Sequence, residues 1–427
     1  MSYTSELFDF IAKCPTALHT VDTVKNALLS QGFTELYESD TESFTESGSY
    51  FVTRGDSSII AFKSGIYPEG FSVCASHTDT PALKITGLNE KSGAYATVPV
   101  EKYGGSILYS WLDRPLSIAG RVVVKNGNGL AVKLINIDRD LLTIPSVAIH
   151  QNRTVNDGYK FNPAVDMLPL LSLGTDGTAL SALVAKEARV APEDIISSDL
   201  FVYNRERSCE FGMNGEFILS PRLDNLASVY SSLRAFLDAP AKEDVVQVFA
   251  AFDNEEVGNA TKQGANSTFL TSVLRSIAAG DENLVAMLES SFMVSLDNAH
   301  ARHPNHPELA NPSAAPVLGA GVAVKYHANQ FYTTDALSDG VIRLLAERAG
   351  TPLQSFATRA DMLSGSTLGS VATTRLGISS VDLGIPQLAM HSSTETMAAS
   401  DLDCAVKLIE KMYSSKVTKI GSVIEIK

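Results

Sequence analysis

The chain reads as an α/β protein whose mixed sheet, flanked by helices, is interrupted by a β-rich insertion. Three observations carry this expectation. Apolar runs of strand length alternate with segments of helical periodicity toward both ends, short alternating runs replace the helices in the middle third, and 427 residues exceed one typical domain, pointing to about two or three.

The opening segments 5–12 and 21–29 place Leu7 and Ile11, then Val24, Ala27 and Leu28, at helical spacing, with Pro15 breaking between them. Strand-like runs follow at 50–53, 58–62 and 71–75, the last running straight into Ser76-His77-Thr78-Asp79-Thr80. From about Pro81 to Gly215 the texture is β-rich: runs 121–124 and 131–137 flank Asn126-Gly127-Asn128-Gly129, residues that tolerate the positive φ of a tight hairpin. Beyond it, helical segments 225–237, 268–277, 336–349 and 398–413 alternate with strands 245–252, 292–296 and 322–325. The economical division is a discontinuous α/β domain, 1–80 plus 216–427, and an inserted β-rich domain, 81–215.

Composition removes several function classes. A content of 44% hydrophobic and 19% charged residues is that of a folded chain, and 34 Lys and Arg against 48 Asp and Glu, a net charge of -14, argues against nucleic acid as a partner. No stretch approaches the roughly 20 apolar residues of a membrane helix, and the first residues lack the basic start and apolar core of a signal peptide. No membrane partner and a cytoplasmic location are therefore expected. Cys14, Cys74, Cys209 and Cys404 form no CxxC pair, so neither a disulfide framework nor a thiolate zinc site is indicated. HExxH, GxSxG and a complete phosphate loop are also missing from the sequence.

The chemistry collects at the ends of elements, where open α/β sheets present functional groups. His77 and Asp79 follow one strand, Asp253, Glu255 and Glu256 a second and Asp297 a third, while His391 follows 388–390 and Asp224 precedes a helix. Imidazoles with carboxylates and no thiolate suit catalytic zinc, manganese or cobalt. His77 and Asp79, two apart on an extended segment, point to one side, so the Asp can hold the far ring nitrogen. Adjacent Glu255 and Glu256 must diverge, leaving one free as a base while the other binds metal. Two histidines and three carboxylates suffice for two metals if one carboxylate bridges a pair about 3.5 Å apart. Taken singly, each signal has a plainer reading: a satisfied core histidine, an N-terminal cap at Asp224, a solvated acidic turn at Glu255-Glu256. Their shared placement at element ends raises the joint reading above those. His303 and His306, with Pro304 and Pro307 beside them, cannot share a helix face and read as loop residues near the site.

Ser76-His77-Thr78-Asp79, Ser220-Pro221-Arg222-Leu223-Asp224-Asn225, Asp253-Asn254-Glu255-Glu256-Val257-Gly258, Ser295-Leu296-Asp297-Asn298-Ala299-His300-Ala301 and Gln387-Leu388-Ala389-Met390-His391-Ser392 together resemble the M18 family of metalloaminopeptidases, which includes aspartyl aminopeptidase. The likeness extends into the insertion at Tyr103-Gly104-Gly105, Trp111-Leu112-Asp113-Arg114 and Ala119-Gly120-Arg121, and the length is similar to that of the bacterial branch. The resemblance implies a dizinc peptidase domain with an inserted β-rich dimerisation domain, built from dimers into a tetrahedral dodecamer. By it, Asp224 bridges two Zn2+ ions, with Mn2+ or Co2+ as substitutes; His77 and Asp297 complete one shell, Glu256 and His391 the other. Asp79 would orient His77, Glu255 would be the base, and His300 would support Asp297. His150 resembles a histidine that enters the neighbouring subunit's active site, where it stabilises the tetrahedral intermediate or binds zinc; the substrate role is favoured because five other residues fill the shells. Lys325, otherwise an ordinary strand-end lysine, resembles the cation that receives an acidic P1 side chain.

The implied function is a zinc aminopeptidase acting on the N-terminal bond of peptides, with Asp or Glu preferred. The alternatives are neutral N-terminal preference on the same scaffold, another dinuclear hydrolase such as a deacylase, and a non-catalytic metal-fold scaffold. An intact Glu255 argues against the last. Ser392-Ser393-Thr394-Glu395 departs from the animal pattern and leaves the substrate preference open.

Overall fold

The computed structural model describes residues 2–40, 42–91, 93–174, 177–420 and 423–427. Among them, a nine-stranded mixed sheet runs in the order Thr34–Glu35, Gly48–Arg54, Ser58–Ser64, Val246–Phe252, Phe71–His77, Phe292–Leu296, Ser379–Gly384, Val322–Tyr326, Leu353–Ala357. Ser58–Ser64, Val246–Phe252, Phe71–His77 and Phe292–Leu296 are buried at every residue, as strands covered on both faces must be. Alternate side chains feed two cores: Cys74, Phe249 and Ala251 enter one, while Val73, Ala75, Val248 and Ala250 enter the other. Helices Tyr3–Lys13, Ala17–Ser30, Leu223–Asp238, Ala336–Ala349 and Ala399–Tyr413 cover the first face, and Phe269–Ile277, Asp281–Leu288 and Leu368–Leu376 the second.

One feature of the pairing positions the site. Val246–Phe252, Phe71–His77, Phe292–Leu296 and Ser379–Gly384 are successive parallel neighbours, so they end at the same edge of the sheet. Phe252 stands opposite His77, which brings the residues after both strands into one layer. A second, five-stranded sheet crosses near this edge in the order Cys209–Phe211, Phe217–Ser220, Glu395–Ala398, Pro386–Leu388, Ala299–His300.

The middle of the chain carries a separate antiparallel sheet of five strands, ordered Val100–Tyr103, Ala82–Ile85, Ile195–Asn204, Leu116–Asn126, Gly129–Asn136, over its own apolar cluster. The hairpin closes with Asn126 opposite Gly129, and Gly127 adopts φ +58° at its tip. Helix Ala179–Ala188 also packs here through Leu180 and Val184, an element the alternating β pattern did not announce. The sequence-drawn line between 215 and 216 falls inside the hairpin of Cys209–Phe211 and Phe217–Ser220, whose second strand pairs with Glu395–Ala398. Strands Leu353–Ala357 and Ser379–Gly384 and helices Asp281–Leu288 and Leu368–Leu376 were likewise not expected; they are short, and their apolar positions are too few for a period to show. No helix among the described residues is long and apolar enough to cross a membrane.

His19 is buried on helix Ala17–Ser30, its Nδ1 2.8 Å from the Thr16 hydroxyl, and burial pushes it down to about 4. An unfolded imidazole takes its proton near its ordinary value, so between about 6.5 and 4 the unfolded state binds more protons and stability falls as pH falls, by roughly 3 kcal/mol in all. His19→Gln should remove that component: urea unfolding at about pH 7.5 and pH 4.5 should show a smaller acid loss than in the wild type, and equal losses would reject the assignment.

Candidate metal centre and active site

The candidate metal ligands are delivered by chain features at or beside the common sheet edge. His77 ends its strand and is fully buried, with Nδ1 3.0 Å from the Asp79 main-chain carbonyl and 3.4 Å from that residue's Oδ1. The carbonyl, more than the carboxylate, therefore holds the ring. The Asp79 carboxylate serves the next strand end instead, accepting the backbone N–H groups of Glu255 and Glu256, each at 3.1 Å. Asn254, at φ 64°, turns the chain out of Val246–Phe252 and into the short helical turn Glu255–Val257. Asp253 is buried, is not among the residues lining the cleft described below, and accepts the Asn254 N–H at 2.8 Å.

Asp224 precedes the regular part of its helix with φ -84° and ψ 105°, and the Asp224–Asn225 peptide is cis. Asn225 donates to the Leu296 carbonyl at 3.1 Å, tying this corner to the strand that presents Asp297. His391 sits at φ 67°, in the left-handed region that only a well-supported non-glycine residue occupies.

These segments converge. His77 Nε2 lies 3.4 Å from Asp224 Oδ1 and 3.4 Å from Asp297 Oδ1, while His391 Nε2 lies 3.3 Å from Asp224 Oδ2 and 3.4 Å from Glu256 Oε1. Asp224 thus stands between two imidazoles and offers one oxygen to each. Lys325 is buried with Nζ 3.4 Å from Asp297 Oδ2. His77, Asp224, Glu255, Glu256, Asp297, Lys325 and His391 all line one cleft of about 380 Å³, which also takes in His300, His303 and His306 and has Leu309, Met362 and Leu363 exposed along it. His150 lies on the exposed stretch 145–151 and is not among the residues lining this cleft.

The family described as Aminopeptidase I zinc metalloprotease (M18) matches residues 10–413. The chain belongs to the M18 family. A probable M18 family aminopeptidase 2 of Clostridium acetobutylicum is 41% identical, covering 97% of this chain and 99% of that protein. Aspartyl aminopeptidase 1 of Schizosaccharomyces pombe is 37% identical, with 96% and 94% covered. Among solved structures, Ape4 in its complex with Nbr1 has a TM-score of 0.93 at 36% identity, covering 96% of this chain and 85% of that one. The mApe1 dodecamer of S. cerevisiae has 0.84 at 27%, covering 96% of each. This M18 chain is accordingly an aminopeptidase, a zinc metallo-exopeptidase of the hydrolase class.

The site's own chemistry fits such an ion. Donors about 2.0–2.1 Å from a tetrahedral zinc stand about 3.3 Å from one another, and the nitrogen–oxygen gaps here of 3.3–3.4 Å match that edge. Asp224 Oδ1 and Glu256 Oε1 are buried without a hydrogen-bond partner among the described residues. Buried acceptors are rarely left so, and a cation explains both. His77, Asp224 and Glu256 can bring one donor atom each within 4.8 Å of one another.

Electrostatics point the same way. Burial raises Glu255 to about 8, helped by the carboxylates of Asp297, Asp79 and Asp224, and lifts Glu256 well above the ordinary range. Burial alone would lower both imidazoles, yet the carboxylates around them hold His77 well above its usual value and bring His391 up to about 10. Burial would raise Asp224 too, but the two imidazoles reverse it and hold its carboxyl well below the usual range. Packing this many carboxylates together out of water is costly unless positive charge accompanies them.

Sequence reasoning passed over Glu395, whose buried carboxylate accepts the Asp224 N–H at 2.9 Å and the His391 N–H at 2.8 Å, bracing both imidazole-facing corners. Its spacing of four from His391 was the available signal. Asn298 was also missed; it links the Leu223 carbonyl and Gln387 at 2.8 and 2.7 Å.

Metal binding requires neutral imidazoles and ionised carboxylates, whereas in the metal-free protein the neighbouring carboxylates favour the protonated forms of His77 and His391, and burial favours that of Glu256. Zinc added to chelator-stripped protein near pH 7 should therefore expel at least about one proton per ion. Calorimetric titrations in two buffers of different ionisation enthalpy read this directly, and a buffer-independent heat would contradict it.

Proposed function

We propose that the enzyme is a dizinc aminopeptidase that removes N-terminal residues from peptides, with Asp and Glu preferred. The observation that carries the two-ion reading is Asp224, with one oxygen 3.4 Å from His77 and the other 3.3 Å from His391. Asp224 would bridge the ions; His77 and Asp297 would complete one site, Glu256 and His391 the other, and Mn2+ or Co2+ could substitute. When bound, the ions supply Lewis acidity, lowering the pKa of the attacking water and polarising the scissile carbonyl.

Glu255 lines the cleft beside these residues, and its elevated affinity for a proton suits a general base that takes one from water and returns it to the leaving amine. Asp79 fixes the two backbone N–H groups that set the Glu255–Glu256 turn. The free α-amine of a substrate would find its counter-charge among the cleft carboxylates, which limits cleavage to the chain end.

Lys325 supports the acidic preference: it is a cleft-lining ammonium in a buried setting, where charge pairing with a P1 carboxylate is strong. The name aspartyl aminopeptidase of the S. pombe relative agrees with this reading. His150, exposed and not among the residues lining its own cleft, would serve a neighbouring subunit by stabilising the tetrahedral intermediate. Leu130, Val132 and Leu134 form an exposed apolar stripe on the edge strand Gly129–Asn136, a surface that fits a homo-oligomer. A dodecamer built from dimers through the insertion is proposed, in keeping with the S. cerevisiae mApe1 assembly. Four free cysteines fit a reducing, cytoplasmic setting, which cell fractionation would test.

Glu255→Gln should retain both ions while kcat falls by about 10²- to 10⁴-fold; normal turnover would remove the base assignment. A parallel assay of Asp-, Glu-, Leu- and Ala-anilides and N-acetyl amino acids should favour the acidic anilides in the wild type, and Lys325→Leu should shrink the acidic-to-neutral ratio. An unchanged ratio would discard the P1 assignment, and faster N-acetyl hydrolysis would replace the aminopeptidase specificity. His150→Phe should lower kcat with metal content intact, and only in an assembled enzyme; sedimentation showing an active monomer would overturn both the oligomer and its shared histidine.

A further inference from the structure

We propose that Tyr103, Gly104 and Gly105, contributed by the inserted β-rich segment, position the metal centre: the Tyr103 hydroxyl locks the Glu255–Glu256 turn and the two glycines let backbone pack against Glu256 and His391. This rests on the site assignment made above and adds to it a part of the chain outside the α/β sheet.

Tyr103 ends strand Val100–Tyr103, which pairs with Ala82–Ile85 so that Ala82 faces Tyr103. The strand leaving the His77–Asp79 corner thus brings the insertion back to that corner. There the Tyr103 hydroxyl donates to Asp79 Oδ2 at 2.7 Å and accepts from Asn254 Nδ2 at 2.9 Å. One oxygen therefore joins the loop after Phe71–His77 to the turn after Val246–Phe252. Asp79 transmits the restraint, because its two oxygens hold the Glu255 and Glu256 N–H groups. Asn254 has little freedom to compensate, since its Oδ1 already accepts from Thr261 and Gln263, both at 2.9 Å.

The next two residues touch the other side of the same ligand pair. Gly104 has φ +72°, and a Cβ there would lie 3.1 Å from Glu256 Cβ and 3.3 Å from its Oε2. A Cβ on Gly105 would lie 3.0 Å from His391 Nδ1. The Ile107 N–H donates to the His391 carbonyl at 2.9 Å, so main chain, and not a movable side chain, forms this wall. Glu256 and His391 are the pair assigned to one ion, and the insertion closes on both.

A packing role alone is the competing explanation, because the Tyr103 ring also lies edge-on to Phe201 at 5.5 Å. Tyr103→Phe keeps that contact and removes only the hydroxyl. It should lower kcat by about 10- to 100-fold, as expected of a misplaced reacting group, with KM within about twofold and thermal stability and zinc content close to wild type. Gly105→Ala, free of any positive-φ penalty, should release one of the two ions per subunit by metal analysis. If the wild type is loaded and active yet Tyr103→Phe retains its kcat, or loses stability alone, the positioning role is overturned and the site assignment stands. Retention of both ions by folded Gly105→Ala likewise overturns the glycine half, and should Gly105→Ala not fold, the Tyr103→Phe kcat decides. A wild type that binds no divalent ion would instead overturn the site assignment itself.

Discussion

Two imidazoles sharing one carboxylate govern this structure. Asp224 meets His77 through one oxygen and His391 through the other, and around them the carboxyl groups of Asp79, Glu255, Glu256, Asp297 and Glu395 crowd a layer largely withdrawn from water. Such a cluster calls for compensating positive charge, which Lys325 supplies at one corner and bound divalent metal would supply at the centre. The braces around it follow from that crowding. Glu395 ties down two main-chain N–H groups, Asp79 two more, and Asn225 and Asn298 bind carbonyls across segment boundaries.

The sheet solves the problem of bringing distant residues to that layer. Four successive parallel strands must end on one edge, and the register of Phe252 opposite His77 leaves the following residues side by side. The small sheet carrying Phe217–Ser220, Glu395–Ala398 and Pro386–Leu388 then closes the edge, and it presents Asp224 and His391 from either side. A rigid scaffold places the groups, while the loops at its edge carry them.

The inserted segment has two faces in this arrangement. Its far edge strand shows Leu130, Val132 and Leu134 to solvent, and its near edge strand delivers Tyr103, whose hydroxyl reaches Asp79 and Asn254. The two edges belong to one sheet over one apolar cluster, with Leu116–Asn126, Ile195–Asn204 and Ala82–Ile85 between them.

By itself the sequence determined the layers and the kinds of side chain at their ends. The strand-length run before His77, the Asn-Gly hairpin and the helical periods of 336–349 and 398–413 are local properties, and each appears as such in the fold. The assignment of His77, Asp224, Glu256, Asp297 and His391 to a common centre drew on their motifs and order. Only the tertiary structure decided that Asp253 stays out of the cleft, that the Asp79 carboxylate braces backbone while its carbonyl holds His77, and that Glu395 and Tyr103 belong beside the site. The reason is that periodicity reports which face of its own element a residue occupies. Which carboxylate oxygen meets which N–H depends on register between segments separated by tens to hundreds of residues, and that register is set by packing.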